Sequence, residues 1–344
     1  MTYLRPIALA LLCGVITLVV QHYVGDLTIY RADAAAARLA MHEAVLSNAP
    51  PGGGWGAAGA NATNVRVLVV YAAEALAAAA GASPLAAYKL IDLASLFATL
   101  LLLFVFLRRW FDDAYCLIAV LFTGCVLPLT LLLHVFHPWD RPSALVWLLM
   151  LFALRDDRPV ALAALLAVAV AIKYDAVLLP GLYFLCRVSA ANWRRTAAIA
   201  AALFAVAFGT YAALRLALPG GFEERDVAAQ VLENLRQIAN LRQPHPALLG
   251  FALPLPLAAL GFRASDRFAR AAAAFGALMF LPFFLSTNFN EVRAHMPMFL
   301  LLLPAATAGL QCLVRGPAQT QAAFAGGSSA EPPLATDFDR ATAR

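Results

Sequence analysis

The sequence has 344 residues, of which 62% are hydrophobic and 13% are charged, and its mean hydropathy is +0.76. A water-soluble domain of this size cannot bury so much apolar surface, and the apolar runs are continuous, which argues against an alternating β-barrel. In a membrane protein, a net charge of +5 normally reflects basic loops that orient the helices, and it does not indicate a nucleic-acid interface. Composition therefore predicts an all-α, polytopic transmembrane bundle in a lipid bilayer, with no nucleic-acid partner.

Ten apolar segments are predicted to be membrane spans. They are residues 6–24, 86–107, 114–134, 142–154, 159–172, 175–186, 196–217, 246–262, 268–286 and 292–314. Several are shorter than the ~20 residues of a full crossing. The first follows Arg5, and no small-x-small cleavage site comes after it, so we expect an uncleaved span with a cytoplasmic N-terminus.

Two stretches allow more than one interpretation. Residues 67–80 are apolar but short, with Glu74 at their middle, which favours an amphipathic or re-entrant helix on the outer face. A single helix over 159–186 would be ~42 Å long, more than the ~30 Å hydrocarbon core. Two short helices that meet at Lys173-Tyr174-Asp175 fit better.

The distribution of arginine predicts the topology. Short loops on alternate sides are rich in arginine, as at Arg108-Arg109 and Arg194-Arg195, and these loops are expected to be cytoplasmic. Both termini are then cytoplasmic, in a multi-pass protein of the inner (plasma) membrane. Residues 1–314 form the transmembrane domain, and 315–344, rich in Gly, Ala, Ser and Pro, are predicted to be a disordered cytoplasmic tail.

On this topology, polar residues concentrate in four elements of the outer face. Charges beside hydrocarbon are costly unless they are paired or face water, which makes them functional candidates. Solvated loop charge and snorkelling side chains are the alternative. The candidates are Asp26, Tyr30 and Asp33 after the first span; His137, Asp140 and Arg141 in "HVFHPWDRPS"; Lys173 and Asp175; and Glu291, Arg293 and His295 in "STNFNEVRAHMP".

The stretch "GDLTIYRADAAAARLAMHE" directly follows the first apolar segment. In a helix, Asp26, Tyr30 and Asp33 share one face, at i, i+4 and i+7. A face of carboxylates and a phenol at a membrane surface suits proton abstraction from a hydroxyl, and also the binding of a cation. An interfacial amphipathic helix with an aromatic anchor is the alternative.

Motifs of soluble enzymes are absent: the sequence has no P-loop, GxGxxG, GxSxG or HExxH. Five cysteines lie in apolar runs and form no CxxC pair, so packing roles are expected. His134 and His137 form a lone H-x-x-H near Asp140, which is a weak metal signal. We therefore assign no metal ligand and leave the cofactor open.

The order of several segments resembles the GT-C superfamily of multispanning glycosyltransferases. The resemblance covers roughly residues 7–314 and rests on "DLTIYRADAAAARL" as the first outer loop, "YAAEALAAAAGASPLAAYKL" as the outer amphipathic helix, "HPWDRPSALVWLLMLFAL" as the fourth span, "AVAVAIKYDAVLLPGLYFL" as the Lys-tipped hairpin, and "NEVRAHMPMFLLLLPAA" as the last outer loop and span. This chain lacks the adjacent acidic pair that many members carry in the first loop.

The resemblance implies transfer of a sugar from a polyprenyl-phosphate donor to an acceptor on the outer face, in cell-envelope glycan or polysaccharide synthesis. It implies a catalytic base at Asp26 or Asp33, and contacts to the donor phosphate from four residues. These are Lys173, Arg293, Arg141 and His295. Tyr30, His137, Asp140, Asp175 and Glu291 are further candidates on the same face.

Two other functions remain open. A transporter or flippase of a lipid-linked or polar substrate is one alternative, although no inverted repeat is evident. The residues that could line its pathway are Glu74, Lys89, Asp92, Lys173 and Asp175. A non-catalytic component of an envelope-polysaccharide system, with a GT-C-like fold, would account for the missing acidic pair.

Overall fold

A computed structural model describes residues 4–25, 32–47, 66–131, 137–218, 227–240 and 245–327. Within these ranges the chain is helical and contains no strand, which confirms the all-α prediction. We number the α-helices in chain order. They are α1 Leu4–Gly25, α2 Ala32–Leu46, α3 Val67–Ala80, α4 Pro84–Leu107, α5 Asp113–Val126, α6 Asp140–Arg155, α7 Pro159–Ile172, α8 Leu179–Arg187, α9 Trp193–Ala217, α10 Val227–Ala239, α11 Pro246–Phe251, α12 Pro254–Gly261, α13 Arg267–Ser286, α14 Met296–Arg315 and α15 Pro317–Gly327. Three 3₁₀ turns, Leu127–Leu131, Tyr174–Leu178 and Val292–Ala294, extend or join them.

Among the described residues, six helical segments are long and apolar enough to cross a membrane, which indicates a membrane protein. They are Leu4–His22, Pro84–Leu107, Asp113–Thr130, Trp193–Ala217, Arg267–Ser286 and Val292–Arg315. The other four predicted spans are also helical, but α6, α7 and α8 are short and the segment 246–262 is broken. The count of ten spans therefore remains a prediction.

The break in segment 246–262 has a local cause. Pro254 has no amide hydrogen to donate, so the helical hydrogen-bond ladder is interrupted there: α11 ends at Phe251 and α12 begins at Pro254, although Leu253 keeps helical backbone angles. Glycine then allows α12 to approach α14 closely: a Cβ on Gly309 would lie 1.9 Å from the carbonyl oxygen of Leu257. The two helices pack backbone to backbone, and this contact holds α12 against the second half of α14.

The predicted hairpin at 159–186 is present. Helix α7 ends at Ile172, Lys173 has extended backbone, and the 3₁₀ turn begins at Tyr174. The apolar stretch 67–80 likewise forms a separate helix, α3, which buries Val69, Val70 and Ala73 against its neighbours.

The tail differs from the prediction of disorder over 315–344. Its first part forms α15, and the buried ring of Phe324 packs on Trp110 and Phe111, with ring centroids 6.1 and 5.4 Å apart. The apolar ring of Phe324 gives this otherwise Gly- and Ala-rich segment an anchor on the bundle. Residues 328–344 lie outside the described part of the chain.

The helices run between two ends of the bundle, which we name after one residue each. The Lys173 end comprises Gln21, Arg66, Asp92, Asp140, Arg141, Lys173, Asp175, Glu291, Arg293 and His295. The Arg187 end comprises Arg5, Arg109, Arg155, Arg187, Arg195, Arg267 and Arg315. Helix α6 runs from Asp140 at the first end to Arg155 at the second, a rise of about 24 Å.

Candidate functional site at the Lys173 end

Arg141 is the most deeply buried arginine of the Lys173 end. Its guanidinium donates to Asp92 Oδ2 at 2.5 Å and to Gln21 Oε1, and both ion-pair side chains are 5% exposed. Three helices, α1, α4 and α6, are thereby tied together where α6 begins. Arg141 was predicted to contact a donor phosphate, but its charge is already matched by Asp92, so its geometry is that of a buried helix tie.

Lys173 lies between two carboxylates. Its Nζ is 3.6 Å from both Asp140 Oδ1 and Asp175 Oδ2, and it donates to the backbone carbonyl of Arg293 at 2.9 Å. The extended backbone at Lys173 directs the side chain away from α7 toward the 292–294 turn. The predicted phosphate contact at Lys173 therefore has competitors within the chain, since two carboxylates already neutralise this ammonium group.

The two carboxylates are incompletely satisfied. Asp175 Oδ1 accepts from Trp147 Nε1 at 3.2 Å, but Asp175 Oδ2 and Asp140 Oδ1 have no hydrogen bond to a described residue. Their 3.6 Å separation from Lys173 exceeds normal hydrogen-bond length. Buried carboxylate oxygens normally have donors, so these two are the positions where a substrate hydroxyl or a water would be favourable.

Arg66, which sequence reasoning missed, lies beside this cluster. Its guanidinium carbon is 4.9 Å from the ring centroid of Trp139 and 5.6 Å from that of Tyr174, within the range of cation–π contacts. Burial lowers the pKa of Arg66, and Arg293 acts in the same direction. An arginine nevertheless keeps its proton at physiological pH, so Arg66 supplies a fixed, partly exposed positive charge.

Arg293 and Glu291 form the more open part of the site. Arg293 donates to Glu291 Oε2 at 2.8 Å, and the two side chains are 17% and 26% exposed. This pair is local, within one loop, and therefore ties no helices together. Of the predicted phosphate ligands, Arg293 is the one with a positive charge that is both near Lys173 and accessible.

His295 differs from the expectation of a surface cation. Its ring is 1% exposed, and Nε2 donates to the carbonyl oxygen of Phe289 at 3.1 Å. Four phenylalanine rings surround it, with centroids between 5.9 and 6.4 Å away. They are Phe251, Phe280, Phe283 and Phe289. Because these rings exclude water, His295 is buried among them, and its bond to Phe289 links it to the last loop.

The loop that carries Arg293 is also held from α10. Asn234 Nδ2 donates to the carbonyls of Phe284 and Thr287 at 2.7 and 2.8 Å, and its Oδ1 accepts from the amide of Phe289 at 2.8 Å. The end of α13 thus finds partners for two carbonyls that a helix terminus leaves unsatisfied.

The polar stretch after α1 is only partly described. Asp26 and Tyr30 lie outside the described residues, and Asp33 lies in α2 without a described side chain. Further along α2, His42 Nε2 donates to Glu74 at 3.0 Å, and Nδ1 lies 2.9 Å from the Tyr88 hydroxyl. His42 therefore fixes α2 to α3 and α4 at the Lys173 end.

Of the two histidines in the H-x-x-H pattern, only His137 belongs to the described part of the chain. His137 is buried, with its ring centroid 5.1 Å from that of Trp139, and His134 lies outside the described residues. Among the described side chains, no group of three His, Cys, Asp or Glu residues could hold a metal ion. The local signal for Arg66, the residue that sequence reasoning missed, was modest: it directly precedes an apolar helix.

Comparison of the chain with protein-family models, with curated protein sequences and with solved structures finds no match. The geometry of the Lys173 end is therefore the basis for any functional assignment.

Proposed function

We propose that this chain is a membrane glycosyltransferase that transfers a sugar from a polyprenyl-phosphate donor to an acceptor hydroxyl at the Lys173 end. One observation carries the proposal. In a chain that is only 13% charged, four cations and four carboxylates meet at a single end of the bundle. They are Arg66, Arg141, Lys173 and Arg293, with Asp92, Asp140, Asp175 and Glu291.

The cluster divides into an interior and an accessible part. Arg141–Asp92 and Lys173 with its two aspartates are buried and position the helix ends. Arg66 and Arg293 retain exposed surface. These two guanidiniums are the groups that would contact the donor phosphate, and they would stabilise the negative charge that develops when the sugar–phosphate bond breaks.

A lipid donor also needs an apolar path for its tail, and α9 supplies one. Only 11% of the most apolar 18-residue stretch of α9 is buried, and the stacked rings of Phe204 and Phe208 are both 49% exposed. Tyr211, one turn further along α9, contacts Tyr174 beside Lys173, with ring centroids 5.8 Å apart. An isoprenoid chain lying along α9 would thus bring its phosphate to the Lys173 end.

The acceptor hydroxyl needs a base. The resemblance to GT-C enzymes assigns this role to Asp26, with Asp33 second. On the same proposal, the Lys173 end faces outward from the inner membrane, both termini are cytoplasmic, and the product belongs to the cell envelope.

A non-catalytic component of an envelope-polysaccharide system is the second candidate. The observation that favours it is that each of the four described carboxylates lies within 4.0 Å of a cation. A site whose charges neutralise one another needs no substrate.

The purified full-length protein, incubated in detergent with a radiolabelled polyprenyl-phosphate sugar and total envelope lipid as acceptor, tests the proposal. We expect labelled product and free polyprenyl phosphate, both reduced in Arg293→Gln and unchanged in Arg194→Gln. The Arg194 side chain is exposed at the Arg187 end and stacks on Trp193. Absence of transfer with a panel of hexosyl and pentosyl donors, from protein that remains folded, would favour the non-catalytic role.

A further inference from the structure

A second polar site occupies the Arg187 end. A cavity of about 580 Å³ opens there between the end of α6, the start of α7, the end of α8 and the starts of α9 and α13. Phe324 of α15 contributes one wall. The same helices that carry the Lys173 cluster at one terminus therefore enclose this cavity at the other, so the two sites are separated by about 24 Å, the length of α6.

Arginine dominates the lining of the cavity. Four arginines face it, against two carboxylates, Asp157 and Asp266. Asp157 lies 3.5 Å from Arg187, and Asp266 lies 3.6 Å from Arg155. Each carboxylate therefore already has an arginine partner.

Asp266 is occupied in further ways. Its Oδ1 accepts from the amide of Ala269 at 2.8 Å and so caps α13, and its Oδ2 accepts from Trp110 Nε1 at 2.9 Å. The helix cap and the tryptophan each take one acceptor position of this carboxylate. Its single negative charge can neutralise only one arginine of the lining, and Arg155 is the one beside it.

The two remaining arginines, Arg195 and Arg267, have no carboxylate of a described residue within 4.0 Å. Arg267 donates to the carbonyl of Val188, and Arg195 is exposed at the start of α9. Neutral side chains complete the lining: Asn192, whose Nδ2 donates to the carbonyl of Arg187 at 3.2 Å, and Thr196, whose hydroxyl is a hydrogen-bond donor, flank Arg195 in the chain. The lining thus has an excess of two positive charges, together with several hydrogen-bond donors.

We infer that this cavity binds a phosphate group. Arginine forks and hydroxyl or amide donors suit phosphate oxygens, and the amino termini of α9 and α13 add favourable dipoles. Two sources share this chemistry: the headgroup of an anionic phospholipid in the adjacent leaflet, and a soluble phosphate or pyrophosphate compound. The position of α9, which lines the cavity with its first turn and exposes its apolar length, makes the lipid headgroup accessible from the bilayer.

The experiment measures binding to the full-length protein in a neutral detergent at fixed ionic strength. The probes are short-chain phosphatidylglycerol, phosphatidylcholine of the same chain length as the neutral control, and inorganic pyrophosphate. The test variant is Arg195→Gln. Arg194→Gln is the matched control, because it removes the same charge from the neighbouring position without changing the cavity lining.

We expect phosphatidylglycerol to bind more tightly than phosphatidylcholine, and Arg195→Gln to weaken the binding roughly 10-fold or more, the usual effect of losing one charged hydrogen bond. Arg194→Gln, which leaves the cavity lining intact, should leave it unchanged. Pyrophosphate binding with the same dependence on Arg195 would support the phosphate site and assign it to a soluble ligand. The inference is overturned if neither anion binds above the phosphatidylcholine level, or if Arg194→Gln weakens binding as much as Arg195→Gln.

Discussion

The two ends of the bundle differ in how far their ion pairs are exposed to solvent. At the Lys173 end the ion pair Arg141–Asp92 is 5% exposed on both sides and links segments 49 residues apart in the chain. At the Arg187 end the pairs are open: Arg5 and Asp113 are 73% and 28% exposed, and Arg315 and Asp112 are 45% and 44% exposed. The Lys173 end buries most of its charged side chains and leaves Arg66 and Arg293 partly accessible, whereas the Arg187 end leaves these pairs at the surface.

The difference separates two uses of charge in a membrane protein. Exposed ion pairs contribute little to stability, and basic loops suffice to orient the helices. Buried charges are costly to desolvate, and well-packed apolar residues would often be as stable. A chain that retains eight charged groups at one end therefore gains something other than stability there, and the recognition of a charged substrate is the role we propose.

The largest expected effect is on cysteine labelling, which should be all-or-none and which shows on which side of the membrane a residue lies. In a background without the five native cysteines, Glu233→Cys near the Lys173 end should react with an impermeant maleimide in intact cells, and Arg194→Cys should react only after permeabilisation. Both side chains are exposed. Labelling of the Arg194→Cys variant from outside would show that the orientation is opposite to the predicted one and that the Lys173 end does not face outward.

The next effect is on turnover. If Asp26 is the base, Asp26→Asn should lower sugar transfer roughly 10²–10⁴-fold, the usual contribution of a general base. Glu43→Gln is the control, since Glu43 is an exposed carboxylate on the same stretch. Near-normal transfer by both Asp26→Asn and Asp33→Asn would show that neither residue abstracts the proton.

The third effect compares the two ends in stability. Asp92→Ala leaves Arg141 buried without its carboxylate and should cost about 3–5 kcal/mol of unfolding free energy. Asp156→Ala breaks the pair with Arg109, whose side chains are 29% and 33% exposed, and should cost no more than about 1 kcal/mol. The free energy of unfolding of both variants, measured in detergent, gives the difference. Equal losses of this free energy would mean that burial does not distinguish the two ends.

Local patterns in the sequence predicted where helices occur better than they predicted where each helix ends. Continuous apolar runs indicated the helices at the predicted spans and at α3, and the polar triplet at Lys173 correctly indicated a junction, because both signals lie within about one helix of sequence. Helices α10 and α15 lie outside those runs and were not predicted. The break at Pro254 was readable from proline chemistry alone, yet the prediction ran one span through it. The anchor that Phe324 provides depends on Trp110 and Phe111, more than 200 residues earlier.

The candidate site was only partly predictable for the same reason. Composition and loop position indicated that Lys173, Asp175 and Arg293 belong to one region. Whether a charge is free or paired depends on distant partners: Gln21 reaches Arg141 across 120 positions, and the rings that bury His295 come from three separate segments. Sequence reasoning therefore did not predict that Arg141 and His295 are buried, and it overlooked Arg66.

Binding of a polyprenyl phosphate at the Lys173 end is the most direct test of the account. The measurement is the dissociation constant of a short-chain polyprenyl phosphate for the full-length protein, in an Arg195→Gln background so that the cavity at the Arg187 end contributes little. Arg293→Gln and Arg66→Gln should each weaken binding about 10- to 150-fold, as expected for the loss of one charged contact worth ~1.5–3 kcal/mol, whereas Arg194→Gln should not. Unchanged affinity in both variants, accompanied by a lower melting temperature of the same samples, would show that these arginines only hold the fold together.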